Sequence, residues 1–269
     1  MSLAITLAPS SSGDLPVLVY DSVFTDATAT VTTDSEVGTY LHTLALDWNP
    51  STYWQAADGE HYIQAQFSSP RSADCLFIYA PDLAANSGTV KVQSSDDGAV
   101  WTDRTAALTL TVAAPLKFLA FATASALYWR AVVNSTPASV IPVVVVGNKL
   151  QLQRGLRTSG YTLPSLSLDV DVDNMESSNG TFLGRITRVD GCRQMIDCQH
   201  FSVDWFIANV RPFLRHAYLR PFGFAPLPTN HPDEVALLWA NNIQDQSFSS
   251  VGKVGMTIDA RGICNNGSV

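Results

Sequence analysis

Charged side chains are scarce in this 269-residue sequence, at 15% against 46% hydrophobic. That balance supplies a substantial core and leaves the surface to Ser, Thr, Asn and Gln, which excludes a disordered chain. Long apolar runs are missing too: the longest, VIPVVVVG at 140–147, is far too short to cross a bilayer and reads as a buried strand. The opening MSLAITLAPSSSGD lacks a basic n-region and a long apolar core, so synthesis and folding in cytoplasm are expected. Basic residues are the scarcer sign, giving a net charge of −8. Residues 1–148 hold 5 basic and 13 acidic side chains, whereas 149–269 hold 11 of each. Phosphate finds no basic surface here, which argues against sequence-reading nucleic-acid binding and leaves a neutral ligand, a metal ion or another protein.

Cysteine is sparse and irregular. Cys75, Cys192, Cys198 and Cys264 include no CxxC pair, so no disulfide framework is expected. Cys192, Cys198 and His200, with Cys264 as a fourth, could be drawn as a metal set, but zinc sites use tighter paired spacing. Catalytic signatures are absent as well: His42, His61, His200, His216 and His231 show no HExxH spacing, and no GxSxG, GxxxxGK[ST] or GxGxxG occurs. Asp96 and Asp97, like Asp233 and Glu234, fall in turn-like contexts that suit solvated charge. Catalysis is therefore the weaker class, although a glycosidase pair is spatial and would leave no spacing to read.

What is present is a succession of short apolar runs bounded by Gly, Pro, Asn, Asp and Ser: PVLVYDSVF, HYIQAQF, DCLFIYAP, GTVKVQSSDDG, LKFLAFA, LYWRAVVN, IPVVVVG. Each is strand-sized and rich in β-branched or aromatic residues, which predicts an all-β sandwich for the first half. In GTVKVQS the alternation sets Val90 and Val92 on one face and Lys91 and Gln93 on the other, and SSDDG supplies a turn. The character changes after Gly147, placing a boundary near 148: one domain at 1–148, a second at 149–269.

In the second half LDVDVD alternates Leu168, Val170 and Val172 against Asp169, Asp171 and Asp173, and GTFLGRITRVDG reads as a strand ending in a turn. SVDWFIANVRPFLRHA predicts a helix with Ser202 as N-cap, an apolar stripe of Trp205, Phe206, Ile207, Val210, Phe213 and Leu214, and a kink or stop at Pro212. DEVALLWANN, QDQSFSSVGK and GKVGMTIDARGI return to strands. Arg211, Arg215 and Arg220, with Arg185, Arg188 and Asp190, read either as surface ion pairs or, preferably, as a balanced docking interface.

ALDWNPSTYWQ, YIQAQFSSPRSADCLFIYA, GTVKVQSSDDGAVWTD and LYWRAVVN follow one another in an order that resembles the discoidin or galactose-binding-like jelly roll over residues 15 to 148. The resemblance implies that Trp54 and Trp101 are core. It also implies that Asp47, Asn49 and Thr52 lie in a loop where family members hold a structural Ca²⁺, whose hard oxygen ligands these residues could supply; an Asx-type turn is the competing reading. Trp48 stands where the family has a small residue, and is expected to be an exposed aromatic for glycan contact.

The second half, with its apolar helix, RPFGF, EVALLW and a last strand ending in RGI, resembles the ring-forming, tail-tube-like domain of bacteriophage distal tail proteins. That likeness implies a tail-like β sandwich with one flanking helix, assembled as a homo-oligomeric ring, hexameric by resemblance, that joins the tail tube to hub and fibre proteins. The virion tail tip would be its place, with assembly in the host cytoplasm. Asp169, Asp171 and Asp173 would line the lumen and repel DNA, unless they form an ordinary solvated face. They are not an EF-hand, since Asn174 stands at position six and Gly180 at twelve. The expectation is a mainly β structural protein whose jelly roll contacts host-surface glycan or docks other tail proteins, with no cofactor beyond structural Ca²⁺. The alternative is a carbohydrate-binding module of a bacterial surface or secreted protein.

Overall fold

The computed structural model describes residues 14–156, 162–244, 248–250 and 252–265. The first half supplies β1 (Val17–Val19), β2 (Thr30–Thr33), β3 (Trp54–Gln55), β4 (Gly59–Tyr79), β5 (Thr89–Ser95), β6 (Thr102–Asp103), β7 (Leu108–Thr109), β8 (Leu116–Ser135), β9 (Val140–Ile141) and β10 (Val143–Gly147). The second supplies β11 (Lys149–Gln151), β12 (Leu168–Glu176), β13 (Phe182–Ser202), β14 (Phe222–Ala225), β15 (Ala236–Ile243), β16 (Phe248–Ser250) and β17 (Lys253–Cys264). The fold is mainly β, as expected, and every pairing is antiparallel.

A seven-stranded sheet runs β10-β4-β8-β5-β6, with β2 on β4 and β7 on β5. Its inner face builds a core of Ile63, Ala65, Leu76, Ile78, Val90, Val92, Trp129, Val144 and Val146, closed by the β3-β9 pair, which brings in Trp54 and Ile141. HYIQAQF and DCLFIYAP are one strand, not two. β4 passes between them through irregularities at Gln66/Arg71 and Ala73/Cys75, which turn the inward parity from odd residues to even ones.

An eight-stranded sheet runs β11-β1-β14-β15-β17-β13-β12, with β16 on β17. The chain changes sheets at Asn148, between β10 and β11, where the sequence changes character. β1 nevertheless lies in the second sheet, paired with β11 and β14, so residues 17–19 sit across that boundary. GTFLGRITRVDG does not end in a turn either: β13 continues through Asp190 and Gly191, because a Cβ on Gly191 would meet the Gly262 carbonyl at 2.5 Å and glycine allows the close pairing with β17.

A short α1 (Pro81–Ala85) follows β4, and the helix of the second half runs as α2 (Val203–Trp205), a π-helical turn (Phe206–Val210) and α3 (Arg211–Ala217). Ser202 occupies the N-cap position, but its side chain makes no capping bond. Pro212 cannot donate to the carbonyl four residues back, and the wider π turn ahead of it accommodates the ring without ending the helix. Phe206, Val210, Phe213, Leu214 and Ala217 pack on the second sheet against Leu18, Phe222, Phe224 and Leu238, while Ile207, expected in the stripe, is 51% exposed.

The opposite face of the second sheet lies on the first sheet. Val17, Val19, Ala225, Val235 and Leu237 meet Cys75, Phe77, Leu116, Phe118, Val143 and Val145 in a shared cluster. Both faces of β10 are thereby covered, which is why it is an unbroken valine run. Gly223 fits beneath the Phe77 ring, which would lie 2.7 Å from a Cβ there. Asn265 stitches the same seam: it accepts from the Leu116 amide at 2.9 Å and donates to the Leu116 and Asp233 carbonyls at 2.9 and 2.7 Å.

Candidate functional site

The second sheet covers only one end of the first. At the other end, the face turned away from the core carries Tyr62, Gln64 and Gln66 on β4, Tyr128, Arg130 and Val132 on β8, and Lys91 and Gln93 on β5. Register aligns them in cross-strand rows, Gln64 beside Arg130 beside Gln93, and Gln66 beside Tyr128 beside Ser95. The Arg130 guanidinium lies 3.8 Å from the centroid of the Trp101 ring and 5.0 Å from that of Tyr62. Its Nε donates to Gln93 Oε1 at 2.6 Å, and Gln93 Nε2 donates in turn to Asp103. Gln66 Nε2 donates to the Tyr128 hydroxyl at 3.0 Å, and Tyr128 meets Trp101 edge-on with centroids 6.5 Å apart. Partial burial holds the Arg130 pKa below its ordinary value, with Tyr62, Glu60, Asp34 and Asp103 acting against the shift.

The SSDDG turn holds Trp101 in place. Asp97 Oδ1 accepts from the amides of Ala99 and Val100, each at 2.8 Å, and from the Ser95 hydroxyl at 2.8 Å. Those bonds, the two backbone ones first, hold the Asp97 carboxyl below its usual range. Gly98 adopts φ +74°, and the Tyr128 ring lies 3.2 Å from where its Cβ would be, so glycine lets the hairpin settle on Tyr128. Around the hairpin lies a cleft of about 310 Å³ lined by Ser94, Asp96, Val100, Thr102 and Arg104 among others. The result is a half-exposed aromatic plane edged by fixed planar donors and acceptors. Such a surface can stack an apolar ring face while hydrogen-bonding groups at its rim.

Trp101, expected in the core, is thus a member of this face, and of the two tryptophans assigned to the core by resemblance Trp54 alone lies there, 1% exposed with Nε1 donating to the Ser35 carbonyl at 2.8 Å. Trp48 is the opposite correction. The residue expected to be an exposed glycan contact is 1% exposed. It stacks on Phe77, centroids 6.3 Å apart, and meets His216 of α3 edge-on at 5.3 Å, so it packs between the two sheets. Its φ of +67° shows how: the chain reverses at this residue and sends the indole inward.

Asp47, Asn49 and Thr52 do come together, as a hydrogen-bonded turn. Asp47 Oδ1 accepts from the Asn49 amide at 2.8 Å, Asn49 Oδ1 accepts from the Ser51 amide at 3.0 Å, and the Thr52 hydroxyl lies 3.0 and 2.8 Å from the two Asp47 oxygens. In this arrangement the Asp47 and Asn49 side-chain oxygens accept from donors within the turn itself, which is the Asx-type geometry. Among the described residues no three His, Cys, Asp or Glu side chains cluster to hold a metal ion. Cys192 and Cys264 adjoin in the core beneath the helix, and their contact, more than burial, pushes the Cys192 thiol up. Cys198, in the same core, is pushed up to about 12 by burial and Asp197, whereas His200 faces outward. Of the aspartates assigned to a lumen, Asp169 pairs with Arg261 at 3.0 Å and Asp173 is likewise engaged; the side chains of Asp171, Arg188 and Asp190 lie outside the described residues.

Neither a family model nor a curated protein matches the chain. Similar solved structures do exist. One is a pectin-binding carbohydrate-binding module, 19% identical over 44% of this chain and 88% of its own, with a TM-score of 0.38. Another is a Clostridium perfringens module solved with GalNAc-β-1,3-galactose, 16% identical over 45% of this chain and 95% of its own, TM-score 0.38. A third is a chitosan-binding module from a Paenibacillus chitosanase/glucanase, 20% identical over 47% of this chain and 98% of its own, TM-score 0.38.

Proposed function

We propose that the chain binds carbohydrate, holding a sugar ring on the open face of the first sheet. The observation that supports this most is Arg130 lying between Trp101 and Tyr62, tied by Gln93 to Asp103. The indole and phenol rings present apolar surface to the C–H face of a pyranose. Arg130, Gln64 and Gln66 offer planar pairs of hydrogen-bonding atoms to its hydroxyls, and buried Gln93 fixes Arg130 before the ligand arrives. Of the carboxylates near the face, Glu60 pairs with Lys91 at 3.6 Å and Asp103 accepts from Gln93. The test is a glycan array followed by calorimetry on the full chain, with Trp101→Ala and Arg130→Gln in parallel. Saturable binding that falls at least about tenfold, or 1.4 kcal/mol, in both variants is expected. Binding unaffected by either variant would remove the face from consideration.

A second reading, assembly into a ring at a phage tail tip, has one observation in its favour. The β12–β13 hairpin exposes Met175, Phe182, Leu183 and Ile186 by 48 to 66%, on the edge strand β12 and its partner. Exposed apolar side chains beside an open strand edge suit docking to a second copy. Light scattering across a concentration series tests it; a monomer at every concentration would end the reading for the chain alone.

A further inference from the structure

A second cleft, far along the sequence from the aromatic face, has a different chemistry. It measures about 310 Å³ and is lined by Gln153, Arg154, His200, Ser202 and Lys253. Two cations, an imidazole, a hydroxyl and an amide converge there, and no carboxylate is among the lining groups. Neither Arg154 nor Lys253 has an ion-pair partner among the described residues. Residues 149–269 carry 11 basic and 11 acidic side chains, so two cations at one cleft concentrate positive charge locally on a half with no net charge.

The backbone is bent to make this cleft. β13 pairs regularly with β17 as far as Cys198↔Met256 and resumes at Phe201↔Val254, leaving Gln199 and His200 as a bulge. His200 takes φ +68°, a conformation that residues other than glycine adopt less readily. Gln199 folds the other way, over Gly255, where a Cβ would lie 2.1 Å from its Oε1, and donates to Asp197 at 2.7 Å. Gly255 thus admits Gln199 on one side while His200 is delivered to the cleft on the other. Gln153 Oε1 accepts from the Ser202 amide at 3.3 Å, holding the carboxamide at the cleft.

We propose that this cleft binds a tetrahedral oxyanion, the phosphate or sulfate group of a small ester or the free ion. Arg154 offers paired N–H donors to two of the oxygens, Lys253 a compact charge, and His200 and Ser202 single donors. The cleft is larger than a bare ion, which leaves room for an ester's organic part.

The full chain would be titrated by calorimetry and by thermal melting with inorganic phosphate, inorganic sulfate, glycerol 3-phosphate and galactose 6-sulfate, with chloride at matched ionic strength as the control. Saturable binding by at least one probe is expected, weakening as salt rises and falling at least tenfold in Arg154→Gln and in Lys253→Gln. Both residues are surface cations, so their replacement should leave the unliganded melt in place. Saturation by the esters but not the free ions would make an ester the ligand; equal affinity would make it the free ion. His200→Gly separates function from structure: relieving the positive φ should leave the ligand-free melting temperature unchanged or higher, while the oxyanion-induced rise shrinks. No saturable binding by any probe, or a ligand-induced rise that survives Arg154→Gln/Lys253→Gln, overturns the proposal. Because glycan binding is read at Trp101, failure of either site leaves the other's test intact.

Discussion

The two ends of one sheet face differ in everything but their strands. Where the second sheet covers it, the outer face of β4, β8 and β10 is Cys75, Phe77, Leu116, Phe118, Val143 and Val145. A few residues further along β4 and β8, and on the neighbouring β5, it is Tyr62, Gln64, Gln66, Tyr128, Arg130 and Gln93, with Trp101 laid over them. Each end has one tryptophan delivered by a loop. Trp48 is sealed between the sheets and Trp101 is left half-exposed. Aromatic content alone therefore distinguishes nothing; what separates seam from site is the polar company the rings keep. Phe77 and Trp48 have each other, aliphatic side chains and the His216 ring, whereas Trp101 and Tyr62 have a guanidinium and carboxamides.

The sharpest way to break this contrast is at Trp48. Trp48→Ala removes a fully buried indole from the seam and should cost about 3 to 5 kcal/mol of stability in urea denaturation. A loss below about 1 kcal/mol would mean that the seam does not depend on the indole, and the two tryptophans would no longer differ in kind. Gly223→Ala strikes the same seam from the other sheet. A methyl group 2.7 Å from the Phe77 ring must displace it, with an expected cost of about 1 to 3 kcal/mol, partly restored when Phe77→Leu is added. Failure of the second substitution to restore any stability would show that the strain lies in β14 itself.

A smaller effect, and one tunable in the same sample, comes from His216. Its ring packs on Trp48 and Tyr20 and its Nε2 donates to the Pro221 carbonyl at 2.8 Å. Burial first, then Arg220, holds its pKa below the ordinary 6.5, against the opposing effects of Pro221 and Asp21. The unfolded chain therefore takes up the proton more readily than the folded one. The contribution of the neutral ring is complete above about pH 6.5 and is lost as pH falls through the folded value, with a slope of at most about 1.4 kcal/mol per unit. Denaturation at pH 7.5 and 5.5 should show the loss in the native chain and less of it in His216→Gln, which keeps a donor and does not titrate. An identical loss in both would place the titrating group elsewhere.

Much of the architecture was legible in alternation and punctuation. Val90 and Val92 against Lys91 and Gln93, the SSDDG turn and the helix at SVDWFIANVRPFLRHA all stand where local pattern puts them. What local pattern could not give was partnership at a distance. β1 reads as part of the first half because sequence proximity says nothing about the β14 it pairs with. The same blindness exchanged the roles of the tryptophans. A positive φ at Trp48 leaves no trace in residue type, and nothing next to Trp101 in sequence announces Arg130, which comes to it from β8. A signal did exist for the site: Tyr128 and Arg130 alternate with Trp129 and Ala131, so LYWRAVVN already carries a polar and aromatic face opposite an apolar one.

The smallest expected effect on stability is the one that carries most weight for function. Trp101→Ala removes a half-exposed ring and a cation–π contact worth about 0.5 to 1 kcal/mol at such a site, so stability should fall by about 1 kcal/mol and the melt should barely move. Carbohydrate affinity should nevertheless drop at least about tenfold, because the ring is then missing from the plane while Gln93 and Asp103 remain in place. The pairing of a small structural cost with a large binding cost is what a surface site predicts and what a packing role does not. A loss approaching that of Trp48→Ala would mean that Trp101 closes the far end of the sheet as Trp48 closes the near one, and the face would become a second seam awaiting its cover.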